Sequence, residues 1–114
     1  MKIVKASKEL TAKEGYFLTM APTVQKMKDQ VSQRIEIATW CIYEDKDAKG
    51  EDTRILSIAT PENEIFATNS KTFMNDFEKM NEVFENAGET VKAITVVSGT
   101  SKSDREFITC VYAD

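Results

Sequence analysis

The stretch that decides the fold runs Arg34-Ile35-Glu36-Ile37-Ala38-Thr39-Trp40-Cys41-Ile42-Tyr43. Its β-branched and aromatic residues predict one long strand. Alternation along a strand puts the charged side chains on the same face as Trp40, whereas Tyr43 belongs to the uncharged face. We therefore expect Trp40 to meet solvent and Tyr43 to meet the core, unless a bulge shifts the register near Tyr43. A tryptophan left exposed on a strand is typical of a binding surface.

Shorter apolar segments on both sides of this stretch predict further strands. The predicted strands are 15–20, 54–59, 64–68, 91–97 and 106–112. Charged and turn-forming residues predict an acidic hairpin tip over 44–52 and turns over 61–63 and 98–104. Residues 21–33 read as a polar connection in which Val24, Met27 and Val31 have the spacing of a helical turn.

One helix is predicted between Ser70, a favourable N-cap, and Gly88, a favourable residue just beyond a helix C-terminus. Its apolar residues recur at helical spacing and form one stripe that must cover an apolar surface. These residues are Phe73, Phe77, Met80, Val83, Phe84 and Ala87.

A single helix placed late among antiparallel strands favours a mainly β fold, a five-stranded Greek-key barrel of the OB-fold type with the helix plugging one end. The alternative is another α+β sheet with one helix on one face. A chain of 114 residues forms one domain over 1–114, and we expect residues 1–12 to be a flexible N-terminal segment.

The composition excludes several classes of chemistry. Without histidine the chain has no Ser-His-Asp or Cys-His catalysis. Cys41 and Cys110 lie too far apart for a CxxC pair, and we expect two buried thiols. The acidic tip lacks the bidentate glutamate of a calcium loop, since Leu56 stands where it is needed. We expect no enzyme, no cofactor and no metal.

No apolar run approaches the roughly 18–20 residues needed to span a bilayer, and the basic N-terminus lacks the apolar core of a signal peptide. We therefore expect a cytoplasmic protein that does not bind membranes.

The net charge of −4 conceals a segregation of charge along the chain. Residues 1–34 carry seven lysines and arginines against three acids, a net charge of +4, whereas 44–52 and 70–90 each carry −3. In the barrel interpretation, the loops beside the ligand face hold four cations: Lys26, Lys28, Lys102 and Arg105. A pI near 4.9 argues against charge-driven binding of duplex DNA. Single strands need a smaller positive field, because bases also stack on aromatic rings.

The C-terminal hairpin, Ile94-Thr95-Val96-Val97-Ser98-Gly99-Thr100-Ser101-Lys102 continuing to Phe107–Tyr112, resembles small single-stranded DNA-binding proteins of protein-primed tailed bacteriophages. The stretches Arg54–Lys71 and Arg34–Tyr43 are also similar to that family. The resemblance implies an OB-fold, non-enzymatic coating of single strands during phage DNA replication, and no metal. It aligns Tyr43 and Phe66 with family tyrosines suited to base stacking. Trp40 and the longer charged tip depart from the family pattern.

We therefore expect a sequence-tolerant single-stranded DNA-binding protein. The candidate stacking residues are Trp40, Tyr43, Phe66 and Tyr16; the candidate phosphate-binding residues are Lys26, Lys28, Arg34, Arg54, Lys102 and Arg105. RNA stays open as a ligand, since discrimination depends on contacts to the 2′-hydroxyl. Replication proteins are further candidate partners. The alternative function is a small protein-interaction module that uses the same face.

Overall fold

The computed structural model describes all residues, 1–114, as a mostly β protein with eight strands and two helices. The elements in chain order are β1 (Lys2–Ala6), α1 (Ala12–Thr19), β2 (Gln25–Lys26), a 3-10 turn (Met27–Gln30), β3 (Arg34–Glu36), β4 (Thr39–Lys46), β5 (Asp52–Ala59), β6 (Ile65–Thr68), α2 (Lys71–Asn86), β7 (Ala93–Thr100) and β8 (Glu106–Tyr112).

The strands form two sheets that are joined through the stretch 34–46. One sheet has five strands in the order β1-β4-β5-β6-β2, and the other has three in the order β3-β7-β8. The expected single strand over 34–43 is therefore wrong: it breaks at Ile37 and Ala38, and its halves β3 and β4 pair in different sheets. Backbone bonds from Ile37 to Lys92 and from Ala38 to Ala59 tie this bend to both sheets.

The main core lies between the inner faces of the two sheets, where α2 is packed. The rings of Phe73 and Phe77 on α2 are fully buried there, in the same core as Ile58 of β5 and Ile94 of β7. The predicted cap is confirmed, since the Ser70 hydroxyl accepts a bond from the Phe73 backbone N–H at 3.2 Å. The stripe on α2 thus covers the apolar surface that it requires.

A second, smaller core lies on the outer face of the five-stranded sheet, where α1 packs. Leu18 of α1 is buried there with Cys41, Tyr43 and Ile65. The expected strand over 15–20 is wrong, because this segment belongs to a helix that starts with a capping box between Thr11 and Glu14.

The expected five-stranded Greek-key barrel differs from the structure, which has eight strands in two sheets. The two sheets do not close into a barrel: β6 and β8 share no backbone ladder, because the free side of β6 pairs with β2 and β8 is the edge strand of the other sheet. Residues 1–12, expected to be a flexible segment, contain β1, which pairs with β4. The expected turn over 98–104 is shorter, because β7 extends to Thr100.

Candidate nucleic-acid interface

Trp40 lies in the main core and not in solvent, so the expected exposure of its ring is wrong. It is 4% exposed, and its ring meets Phe77 of α2 edge to face at 5.2 Å. Glu36, which suggested a solvated face, belongs to the other sheet, beyond the bend at Ile37 and Ala38. The alternation along 34–43 therefore spans two strands that do not share a face.

Tyr43 and Phe66, two further candidates for base stacking, are also buried, each at 5% exposure. Tyr43 lies in the second core beneath α1, where burial raises the pKa of its phenol. Phe66 lies in the main core beside Ile58, its partner on β5. The rings of Trp40, Tyr43 and Phe66 are all covered by other side chains, so no base can stack on them in this conformation.

Tyr16 is the one candidate ring that stands in solvent. It is 47% exposed on α1, and its ring meets the ring of Phe17 edge to face at 5.4 Å. The outward side of α1 thus carries two exposed rings, although from a helix and not from the expected strand.

The six candidate phosphate-binding residues fall into two groups by their ion pairing. Arg34 pairs with Glu36 at 3.0 Å, and Arg54 pairs with Glu44 at 3.2 Å. The other four residues are exposed and form no ion pair in the structure: Lys26, Lys28, Lys102 and Arg105. Their charges are free to meet an anionic ligand.

The four unpaired cations come from two segments that approach each other. Lys102 and Arg105 belong to the β7–β8 hairpin tip, which the Ser101 hydroxyl orders by accepting bonds from the backbone N–H groups of Ser103 and Arg105 at 3.3 and 3.2 Å. Lys28 belongs to the 3-10 turn and lines a groove of about 450 Å³ together with Phe107 at the start of β8. The groove also holds Asp29 and Glu106, so its charge is mixed.

Phe107 contributes a ring to the outer face of the three-stranded sheet. The distal end of this ring lies over Gly99, its cross-strand partner on β7. A Cβ atom at Gly99 would stand 2.6 Å from Cζ of the ring, closer than real Cβ atoms approach. Gly99 is required here because a side chain would collide with the ring, and not because of an unusual backbone angle. The Phe107 ring itself is half-buried.

The outer face around Phe107 is incompletely covered. On one side of β7 and β8 the register aligns half-buried or exposed residues: Thr95, Val97, Gly99, Phe107, Thr109 and Val111. Arg34 extends this face on β3 opposite Thr95. From Thr95 to the hairpin at Thr100 the face is about 17 Å long, since a strand rises about 3.3 Å per residue.

Sequence reasoning did not select Phe107 as a site residue. Gly99 and Phe107 lie at equal distances from the centre of the turn after Thr100, and this spacing predicts that they are cross-strand partners. Because cross-strand partners in a hairpin share a face, the pair indicates Phe107 as a site residue. A ring opposite a glycine lies over the neighbouring strand without meeting a side chain.

The two cysteines are free and buried, as expected. Burial raises the pKa of Cys41 to about 11 and that of Cys110 to about 12, so both thiols are protonated at neutral pH. Nowhere do three or more side chains of the metal-ligating types converge on one point. Neither helix has the length and apolar character required to cross a bilayer.

Comparisons with models of protein families, with curated proteins and with solved structures find no match to this chain.

Proposed function

We propose that the chain is a sequence-tolerant single-stranded DNA-binding protein that holds the strand on the outer face of β7 and β8. The observation that carries this proposal is the Phe107 ring over Gly99, at the base of a hairpin tip whose cations Lys102 and Arg105 form no ion pair. A ring on an open sheet stacks on any base, and flexible cations follow the phosphates of any sequence.

The strand pairing supports an OB-like arrangement for the finer fold. We take β3 and β4 as one bent first strand, so that β5, β6, β7 and β8 are the second to fifth strands. The first strand then pairs with the second and the fourth. In chain order, α2 comes between the third strand and the fourth. The β7–β8 hairpin is then the loop between strands four and five, which in OB-folds borders the ligand face of strands two and three. The surface proposed here adjoins the same loop on strands four and five. The ladder between strands three and five is missing, which leaves an open barrel.

Single strands suit the mixed charge of this surface better than duplexes do. Asp29 and Glu106 lie in the same groove as Lys28 and weaken its attraction for phosphates. Stacking contributes about 1–3 kcal/mol per base without a strong positive field. Duplex DNA keeps its bases paired and offers no such contact. The resemblance of the hairpin to phage proteins adds the expectation of a role in phage DNA replication.

The proposal is tested by fluorescence anisotropy with a labelled oligo-dT strand at low and high salt. We expect binding that weakens as salt rises, and weaker binding by the double variant Lys102→Glu with Arg105→Glu. Lys49→Glu with Lys79→Glu, the same change of net charge at two exposed sites on the β4–β5 tip and on α2, is the matched control and should bind as the wild type does. Absence of binding at low salt, or equal losses in all variants, contradicts the proposal.

A protein-interaction module is the second candidate function, and the outward side of α1 favours it. Tyr16, Phe17 and Met20 are 47%, 42% and 66% exposed there, more apolar surface than one short helix needs to leave in solvent. In this case Tyr16→Ala should abolish capture of the partner, whereas Lys102→Glu should leave it intact.

A further inference from the structure

Helix α1 covers the outer face of β4, β5 and β6, which we call the covered face. Leu18 of α1 is buried on it with Cys41, Tyr43 and Ile65. In the OB-like arrangement proposed for this chain, β5 and β6 are strands two and three, whose outer face holds the ligand in OB-folds. A ligand on the covered face would need the side chains that α1 occupies, so α1 and such a ligand exclude each other.

α1 is weakly attached to the sheet beneath it. It has eight residues, and Leu18 is the only one that is buried. Tyr16 and Phe17 are 47% and 42% exposed, and Gly15 in the middle of the helix lowers its stability. Helices of this length are marginal in water, so α1 depends on its contact with the sheet to stay folded.

The hydroxyl groups beneath α1 lack good partners. The Ser57 hydroxyl is fully buried without a hydrogen bond, and it shares the covered face with Cys41, its partner on β4. The Tyr43 hydroxyl donates to the Thr19 carbonyl of α1 at 3.5 Å, well beyond the usual length for a hydroxyl donor. Buried polar groups without good partners cost free energy, and opening of α1 would let both hydroxyls bond to water or to a ligand.

The packing between α1 and the sheet is also incomplete. A cleft of about 480 Å³ is lined by Phe17 and Leu18 of α1 and by three residues that the register places in one row across the sheet, Thr39, Ala59 and Ile65. A helix that leaves a cleft of this size gains less packing energy than one in close contact. The closed position of α1 is therefore only weakly favoured.

We propose that α1 is a lid that unfolds locally from the covered face, and that a DNA single strand competes with α1 for this face. The inference rests on the proposed function and adds a second contact surface to the outer face of β7 and β8. The Tyr43 ring and the Ser57 hydroxyl suit an unpaired base, which has a flat apolar face and a hydrogen-bonding edge. A strand held at the β7–β8 hairpin can continue onto the covered face, because this loop borders it in OB-folds.

Competition of this kind makes the affinity for the strand depend on the stability of α1. A ligand that binds only the open form loses apparent affinity by the factor by which the closed form is stabilised. Gly15→Ala supplies such a stabilisation, because a Cβ atom at Gly15 would meet nothing within 4 Å and the backbone angle does not require glycine. Alanine in place of this glycine should favour the closed form by about fivefold.

Opening of α1 is tested first without DNA, through the reactivity of Cys41 beneath the helix. Cys110, a free thiol in the main core, is the internal reference, and mass spectrometry after brief exposure to a thiol reagent measures the two separately. We expect Cys41 to react faster than Cys110 and Gly15→Ala to slow Cys41 by about fivefold. Asn75→Ala, which also introduces alanine at an exposed helix position but on α2, is the control and should leave the rate unchanged. If Cys41 reacts no faster than Cys110, or if Gly15→Ala has no effect, α1 is not a lid.

Competition is then tested by hydrogen exchange of the backbone amides of α1 with and without oligo-dT. Exchange in residues 12–19 should become faster when the strand binds, because binding raises the population of the open form. Gly15→Ala should lower the affinity for oligo-dT by about twofold to fivefold, whereas Asn75→Ala should bind as the wild type does. Exchange in α1 that slows or stays constant while the strand is bound overturns the competition.

The lid and the proposed function fail separately. If oligo-dT binds with the expected dependence on Lys102 and Arg105 while α1 stays closed, only the present inference is contradicted. If oligo-dT does not bind at all, the proposed function fails and the strand is not the ligand of the covered face. The labelling rates of Cys41 then still decide whether α1 opens.

Discussion

Gly99 and Phe107 form the smallest unit on which the proposed function depends. Gly99→Ala is expected to push the ring off β7, because the new Cβ would lie 2.6 Å from its Cζ atom. The ring can swing toward solvent, so the free energy of unfolding should change by less than about 1 kcal/mol. Affinity for oligo-dT should fall, as anisotropy would report, while urea unfolding reports the stability. If the affinity is unchanged, the position of the Phe107 ring over Gly99 does not contribute to binding.

Trp40 stabilises the fold and is not part of the ligand surface. Trp40→Ala is expected to lower the free energy of unfolding by about 3–5 kcal/mol, because it leaves a cavity against Phe77. Tyr16→Ala, which removes a ring that is 47% exposed, should cost less than about 1 kcal/mol. Urea unfolding of the two variants measures both values, and similar losses would contradict the assigned burial.

The strand character of the residues around Trp40 could be predicted from the sequence, but their exposure could not. Alternation correctly separates Trp40 from Tyr43, which lie in different cores. Alternation cannot reveal that both faces of β4 are covered, since α2 covers the inner face and α1, whose sequence predicts a strand, covers the outer face. Strands buried on both faces read as continuous apolar runs, as Trp40–Tyr43 does.

At the scale of a single element, the charge of a carboxylate stabilises the N-terminus of α1. Glu14 pairs with Lys8 at 2.7 Å and accepts a bond from the Thr11 backbone N–H, and these contacts lower its pKa from 4.5 to about 2. A carboxyl whose pKa is lower in the folded state stabilises that state above its ordinary pKa. This stabilisation is fully present above about pH 4.5 and is lost as the pH falls toward about 2.

Glu14→Gln tests this dependence, because glutamine keeps the hydrogen bond of the capping box but has no charge. The wild type should have the higher melting temperature at neutral pH, and the difference should shrink between about pH 4.5 and about pH 2. A difference that is constant over this range would contradict a role for the carboxylate charge.

The two helices differ in how far the sequence reveals them. α2 has a capping serine, a long apolar stripe and a glycine after its end, and each feature indicates the same boundaries. α1 is short, and Gly15, Tyr16 and Phe17 have strand or turn character that conceals it. Its signal was the pair of Thr11 and Glu14, three residues apart, which is typical of a helix start.

At the scale of the whole molecule, the mainly β class could be predicted, whereas the division into two sheets could not. The bend at Ile37 and Ala38 contains neither glycine nor proline, and it is held by backbone bonds to Lys92 and Ala59, residues remote in sequence. Local patterns cannot report such contacts. The segregation of charge does survive in the structure, since the unpaired lysines of β1 and the unpaired acids of α2 lie on different elements.

The central claim, that the Phe107 ring holds single strands, is tested most directly by comparing Phe107→Ala with Tyr112→Ala. Both rings belong to β8, but Tyr112 packs against Phe84 and lies away from the outer face. Oligo-dT anisotropy at low salt should give Phe107→Ala an affinity about fivefold to a hundredfold lower, the equivalent of about 1–3 kcal/mol for one stacked base. Tyr112→Ala should stay within about twofold of the wild type. If Phe107→Ala binds as the wild type does while Tyr112→Ala loses affinity, the strand does not lie on the outer face of β7 and β8.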